Sequence, residues 1–334
     1  MFNSRWILLK RKSRASMLCM TVMMLSLTVA HPSEATELGQ DTLRYAAMQG
    51  DQQQVRALLS QKVDVNQASQ VGQTALMWAA QEGHTAIVHA LLHAGANPNQ
   101  QDQSGMTALM LAAQQGHVNA LSALLRTPHI AINTTSHTGR SAVTEAARYG
   151  QAAIMAKLAP YKPDVNHLDK KGFTPLMLAA KGGHSAMIGL LIAAGADVDA
   201  VGKQGMTALM IAVDAGYEGI VSHLINQRAH VNQQTHDGWS ALSFAAHQGY
   251  ATIATRLLKA DALVDSRDEE GQTPLMLATR GNYLDTVKNL LTYGADQSLT
   301  DHKGQRAADL RRGHSGIEKL LSQASHTDQL AALH

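Results

Sequence analysis

One cysteine stands in 334 residues, Cys19, so no disulfide can close within the chain and no thiolate zinc cage can be assembled. Aromatic residues make up only 4%, so any core must be built from Ala, Leu, Ile, Val and Met. A dominant charge is also missing. The 28 Lys+Arg oppose 26 Asp+Glu, a net of +2, which excludes a histone-like polycation and an acidic tail protein. What is abundant is apolar residues, at 45%, too many for a disordered chain. The length would suggest about two ordinary domains, but internal repeats must be sought before such a count is trusted.

The slight basicity is local. Residues 1–35 hold Arg5, Lys10, Arg11, Lys12 and Arg14 against one acid, Glu34, and the remainder has 23 bases and 25 acids, a net of −2. It therefore carries no argument for nucleic acid. An apolar run from Met17 to Ala30 follows the basic stretch. At about 14 residues it is shorter than the roughly 20 a membrane helix needs. A basic segment, a short apolar segment and small residues after it form the pattern of a secretory signal peptide, assigned to residues 1–35. Cleavage is expected after Ala35 (Ser33 at −3) or Ala30 (Thr28 at −3). Ala35 is favoured because it leaves a short polar segment before the cut. An uncleaved anchor is the alternative, and Leu18-Cys19 makes a poor lipoprotein motif. Loss of Cys19 with the signal would leave a thiol-free chain, suited to an oxidising compartment. The expected location is periplasmic or secreted.

The rest is one motif, copied. Gly72-Gln-Thr-Ala-Leu-Met-Trp-Ala-Ala-Gln-Glu-Gly83-His84 recurs with small changes, and its first glycine falls at 39, 72, 105, 139, 172, 205, 238, 271 and 304. Every interval is 33 residues except one of 34. A Leu-Leu pair, a Gly-Ala step and Asp/Asn-x-Asn/Asp follow at constant offset, as in Leu91-Leu92, Gly95-Ala96-Asn97 and Leu190-Leu191, Gly195-Ala196-Asp197. The period, the G-x-T-P/A-L-x-x-A-A box, the G-H step and the two later features resemble the ankyrin repeat. The resemblance runs from about residue 39 to 321, and nine copies in register make it specific. It implies an all-α repeat solenoid, each unit a β-turn finger plus two antiparallel helices. The expected division is a cap at 39–71, seven full repeats over 72–303, a C-terminal cap at 304–321 and a tail at 322–334.

The residue chemistry agrees with that reading. Thr74, Thr107, Ser141, Thr174, Thr207, Ser240 and Thr273 stand where the first helix of each unit begins, and their hydroxyls can cap its free N–H groups. Pro175 and Pro274 take the first helical position, where a missing N–H costs nothing. A glycine in six units, from Gly83 to Gly249, and Asn282 in the last full one, are expected to end that helix in the left-handed conformation. In the first unit Asp41 is expected in the Thr role. Trp78 replaces a box leucine and is expected as buried filling. Two units depart from the pattern. The third has an extra residue within Arg126–Ile130, and the fourth, 139–171, lacks the Leu-Leu and Gly-Ala features and carries Pro160 and Pro163.

No phosphate loop, zinc-protease helix, nucleophile elbow or dinucleotide fingerprint occurs, so no enzyme activity, cofactor or metal is expected. His84, His117 and His184 occupy the G-H step, where a structural hydrogen bond to a neighbouring loop is implied by the resemblance. His89 and His93, one turn apart, could chelate a metal but lack supporting ligands. Met77, Met110, Met177, Met210 and Met276 follow the box leucine, where the family usually carries His. They read as adaptable packing, although thioethers can bind Cu(I).

In the ankyrin family the variable residues of the finger and of the end of helix one recognise partners on the concave side. Carried over by offset, the partner-binding candidates here are Arg140, Arg148, Tyr149, Lys170, Lys171, Phe173, Lys181, Lys203, Met206 and Trp239. The first repeats show mostly glutamine at these places, the middle is basic, and the far end turns acidic with Asp237, Glu269 and Glu270. Aromatic and Arg residues dominate binding hot spots. The expected partner is another protein with an acidic segment, met by a monomer, without nucleic acid or stable membrane insertion. The implied function is an exported, non-enzymatic scaffold for protein–protein interaction that protects or organises an envelope protein. Two alternatives are a periplasmic metal buffer using Met and His, and a secreted host-directed effector.

Overall fold

The computed structural model describes residues 32–310 and 316–322; residues 1–31 of the expected signal at 1–35, and all but the first residue of the expected tail at 322–334, lie outside them. Every regular element among the described residues is helical, with one isolated antiparallel bridge, Gln234 to Ser240.

Each unit starts at a capped turn. Thr74 is extended, and its Oγ1 accepts the Met77 N–H at 3.2 Å. The same bond forms at Thr107, Ser141, Thr174, Thr207, Ser240 and Thr273. After a first pair, α1 (Pro32–Gln49) and α2 (Gln52–Ser60), inner and outer helices alternate. They are α3 (Ala75–Gln81) and α4 (Thr85–His93), α5 (Ala108–Gln115) and α6 (Val118–Leu125), α7 (Ala142–Arg148) and α8 (Ala152–Leu158). Then come α9 (Pro175–Gly182) and α10 (Ser185–Ala193), α11 (Ala208–Asp214) and α12 (Glu218–Asn226), α13 (Ala241–Gln248) and α14 (Ala251–Leu258), α15 (Pro274–Arg280) and α16 (Leu284–Thr292).

Helices this short are marginal in water, so packing must hold them. Each inner helix from α3 to α13 packs against its own outer partner and against the inner helices of both neighbours, and α15 packs against α16, α13 and the 3-10 turn Ala307–Asp309. Alanines such as Ala79, Ala80, Ala112 and Ala113 are fully buried where inner helices meet. Leu91, Leu124, Leu191, Leu224, Leu257 and Leu290 do the same along the outer row. The box methionines Met77, Met110, Met177, Met210 and Met276 are each 1% exposed and fill the core. The expected left-handed glycines adopt φ between 69° and 80°, and Asn282 has φ 61°.

Two hydrogen-bonded ladders tie the loops together. Backbone bonds join successive fingers, as from Gln103 N to Val71 O at 3.0 Å and from Lys170 N to Thr138 O at 3.0 Å. Asparagines join the other loops. Asn66 donates to Gly95 O at 3.1 Å and accepts from Asn97 N. Asn166 and Asn232 repeat that pair of bonds. The irregular unit 139–171 keeps the stack. A 3-10 turn, Ala159–Tyr161, follows α8, Lys162 takes the left-handed conformation (φ 51°), and Asp164 N still donates to Asn133 Oδ1 at 2.9 Å.

Two expectations are corrected. Asp41 does not cap a helix, because α1 begins at Pro32 and runs through positions 39 and 41 to Gln49. Asp41 lies within it as an exposed ion-pair partner of Arg44. The stretch after Pro32 is rich in Ala, Glu and Leu, and a single glycine costs a helix only about 1 kcal/mol. Trp78 is half-buried rather than core, because an indole is larger than the leucine or isoleucine that is buried at the same offset in other units, as at Leu111, Ile211 and Leu277. Among the described residues no helix is long and apolar enough to cross a membrane.

Candidate docking surface

The fingers and the C-terminal ends of the inner helices share one face, and two pockets of matching design lie on it. The first is about 250 Å³ and is walled by Arg140, Arg148, Asp169, Lys171, Phe173, Leu178 and Lys181. Its geometry follows from the repeat. Phe173 comes just after the turn glycine, Leu178 one helical turn into α9, and Lys181 at the end of α9, so all three look toward the finger. The buried Asp169 shapes that finger by accepting the backbone N–H groups of Lys171 at 2.9 Å and Phe173 at 3.0 Å.

The electrostatics are positive and mostly uncompensated. Arg140 is the exception: its Nη1 donates to Glu145 Oε1 at 3.0 Å. Glu145 is 1% exposed, where other units carry Leu111, Leu178 or Leu277, and its Oε2 has no hydrogen-bond partner among the described residues. Arg148, Lys171 and Lys181 are exposed and form no ion pair among the described residues. The Lys181 ammonium sits 5.0 Å from the centre of the half-buried Phe173 ring, a cation–π contact.

The second pocket is larger, about 580 Å³, and involves Gln204, Met206, Asp214, Asp237, Trp239, Phe244, His247 and Gln248. Trp239 is half-buried. Its ring centre lies 5.0 Å from Phe244 and 5.2 Å from His247, the latter edge-on. Gln248 Nε2 donates to Asp214 Oδ1 at 2.9 Å.

The ten residues expected to meet a partner thus divide. Arg140, Arg148, Lys171, Phe173 and Lys181 come together in the first pocket, and Met206 and Trp239 in the second. Tyr149 stands just outside, its ring under the Arg148 guanidinium at 5.6 Å and its hydroxyl accepting from Gln114 at 3.2 Å. Lys170 and Lys203 are exposed on their fingers beyond both pockets. The Lys203 Cβ lies so near Gly172 that a side chain there would overlap it at 2.4 Å. Sequence reasoning missed Asp214 and Phe244. The signal was available, since Asp214 shares its offset with Arg148 and Lys181, and Phe244 with Leu178.

Beyond the second pocket Glu269 and Glu270 are exposed on the next finger, with Arg280 at the end of α15. Burial lifts the Asp268 carboxyl above the usual carboxylate range and Glu270 adds repulsion, against hydrogen bonds from the Gln272 and Glu270 amides and the charge of Arg280. Elsewhere, His84 Nε2 lies 3.2 Å from Met48 O and His184 Nε2 3.2 Å from Arg148 O, which ties each unit to the one before. The His117 ring lies against Gly83. His89 and His93 are exposed beside Pro128 in a groove of about 250 Å³, and no group of three or more His, Cys, Asp or Glu is placed to hold a metal ion among the described residues. The box thioethers, enclosed in the core, are closed to solvent metal.

The family model described as "Ankyrin repeats (3 copies)" matches residues 16–102, 94–169, 145–235 and 215–301. No curated protein matches the chain.

Proposed function

The chain belongs to the ankyrin-repeat family, a scaffold for protein–protein interaction, and from that premise we propose that it is exported and that it holds an acidic segment of an envelope or secreted protein. The observation that carries this reading is the convergence of Arg148, Lys171 and Lys181 around Phe173 and Leu178 in one pocket. Their fields add toward a carboxylate-bearing segment, while the ring supplies apolar contact that charge alone does not. Such a surface speeds encounter and makes it salt-dependent. Export rests on the pattern of residues 1–35, and the net −2 of the remaining chain argues against nucleic acid. No catalytic constellation supports an enzyme reading, and the role proposed here is non-enzymatic.

Affinity capture from an envelope extract tests it, run in parallel with the wild-type chain and a Lys171→Glu, Lys181→Glu variant. A protein retained by the wild type, released by salt and lost with the variant is the expected result. Retention of the same proteins by both chains would overturn the acidic-segment reading.

A further inference from the structure

The two pockets occupy the same place in the repeat frame, two units apart. Trp239 stands where Phe173 does, Phe244 where Leu178 does, and His247 where Lys181 does. The charges around them are reversed. Asp214 takes the position of Arg148, and Asp237 that of Lys171. Both aspartates are exposed, and neither pairs with a base among the described residues. Phe173 already carries the ammonium of Lys181, whereas Trp239 has the steeply inclined His247 imidazole and the tilted Phe244 ring beside it.

We propose that the Trp239 pocket is a second docking site, and that its occupant is a lysine or arginine side chain from an extended protein segment. Three features of the pocket select that chemistry. An indole face attracts a cation more strongly than any other side-chain ring. Two carboxylates at the rim, Asp237 and Asp214, neither paired with a base although Asp214 accepts from Gln248, supply complementary charge and hydrogen-bond acceptors for ammonium or guanidinium. The walls of Met206, Trp239 and Phe244 cover the aliphatic stem that either side chain carries behind its charge. At the usual 8–10 Å between packed helices, the two pockets lie about 20 Å apart. An extended chain covers that in about six residues. A segment reaching both would carry its acid and its base at about that spacing.

The inference rests on reading this face as a docking surface, but its test needs no captured partner. The full chain is labelled with 5-fluorotryptophan, and Trp239→Phe identifies the Trp239 fluorine resonance. The probe is a capped Gly-Ser-Arg-Ser-Gly peptide, with norleucine and glutamate versions as controls. The arginine peptide is expected to shift the Trp239 resonance saturably in the millimolar range. Asp214→Asn with Asp237→Asn should weaken that binding at least threefold, and the norleucine and glutamate peptides should leave the resonance in place. An equal response to norleucine, a preference for glutamate, no saturable shift with arginine, or undiminished binding by the double variant would each overturn the proposal. None of those results bears on the basic pocket, whose failure in the capture experiment would equally leave this site standing.

Discussion

Tyr217 lies across Gly183 of the preceding unit, so closely that a Cβ on that glycine would meet the ring at 2.9 Å. Gly183 also holds φ 75°, a conformation that L side chains rarely adopt. Gly183→Val should therefore destabilise the array by about 1–2 kcal/mol from left-handed strain. Overlap adds little, because the Tyr217 ring is partly exposed and can swing aside. Gln115→Ala, on an exposed position of α5, should stay within about 0.5 kcal/mol of wild type. Urea midpoints compare the two, and equal values would remove Gly183 from its assigned role.

What was legible in the residues was whatever a single backbone position demands. A capping hydroxyl at Thr74, a left-handed residue at Gly183 or Asn282, and a proline at Pro175 each solve a local problem with one residue type, and the 33-residue period multiplies the signal. Side-chain meetings across units were not legible, because they depend on how far one helix is rotated against the next. Nothing in the sequence ties Glu145 to Arg140 rather than leaving Arg140 free, and nothing ties Gln248 to Asp214. The start of α1 was misread for a related reason. Whether a repeat glycine turns depends on its surroundings: Gly72 turns with its finger bonded to the next one, from Gln103 N to Val71 O, whereas Gly39 stays inside a continuous helix.

Asp265 stands in the asparagine ladder where an amide would serve better. Its carboxylate accepts the Asp296 N–H at 3.1 Å but cannot donate, whereas Asn166 at the equivalent place also donates to Gly195 O. Burial raises the Asp265 pKa, and repulsion from Asp296 adds to it, against the hydrogen bond from the Asp296 amide. A carboxyl with a raised folded-state pKa stabilises the fold while protonated. That contribution is lost as pH rises from the unfolded value of about 3.9 through the raised folded one. Asp265→Asn should thus be the more stable chain at pH 7, with about 0.5–1.5 kcal/mol from a new bond to the carbonyl of Gly294. The part of the gain that comes from charge should vanish below about pH 3. Urea midpoints at both pH values check this, and a variant weaker than wild type at pH 7 contradicts it.

Export makes a mass prediction. The exported chain should begin near Thr36, inside the first turns of α1, having lost Met1–Ala35 and with them the only cysteine. Intact-mass measurement of protein from the periplasmic fraction or the medium reads this directly. A mass that retains residues 1–35 would mean an anchor instead, and one beginning at His31 would move the cut to Ala30.

The basic pocket makes the sharpest demand on position. Lys170 and Lys171 are adjacent and both exposed, yet only Lys171 lines the pocket with Arg148, Lys181 and Phe173. Net charge alone would make the two lysines equivalent, whereas a local field would not. With a captured partner in hand, Lys171→Glu should slow association at low salt several-fold more than Lys170→Glu, and the difference should shrink once salt shortens the Debye length to about 3 Å near 1 M. Phe173→Ala should leave association nearly unchanged and speed dissociation, because short-range apolar contact acts after encounter. Its fold should survive, since the ring is half-buried at the face rather than enclosed in the core. Surface plasmon resonance over a salt series separates these rates. Equal slowing by Lys170→Glu and Lys171→Glu would reduce the patch to a general cationic surface, and binding untouched by all three changes would assign the docking to another part of the face.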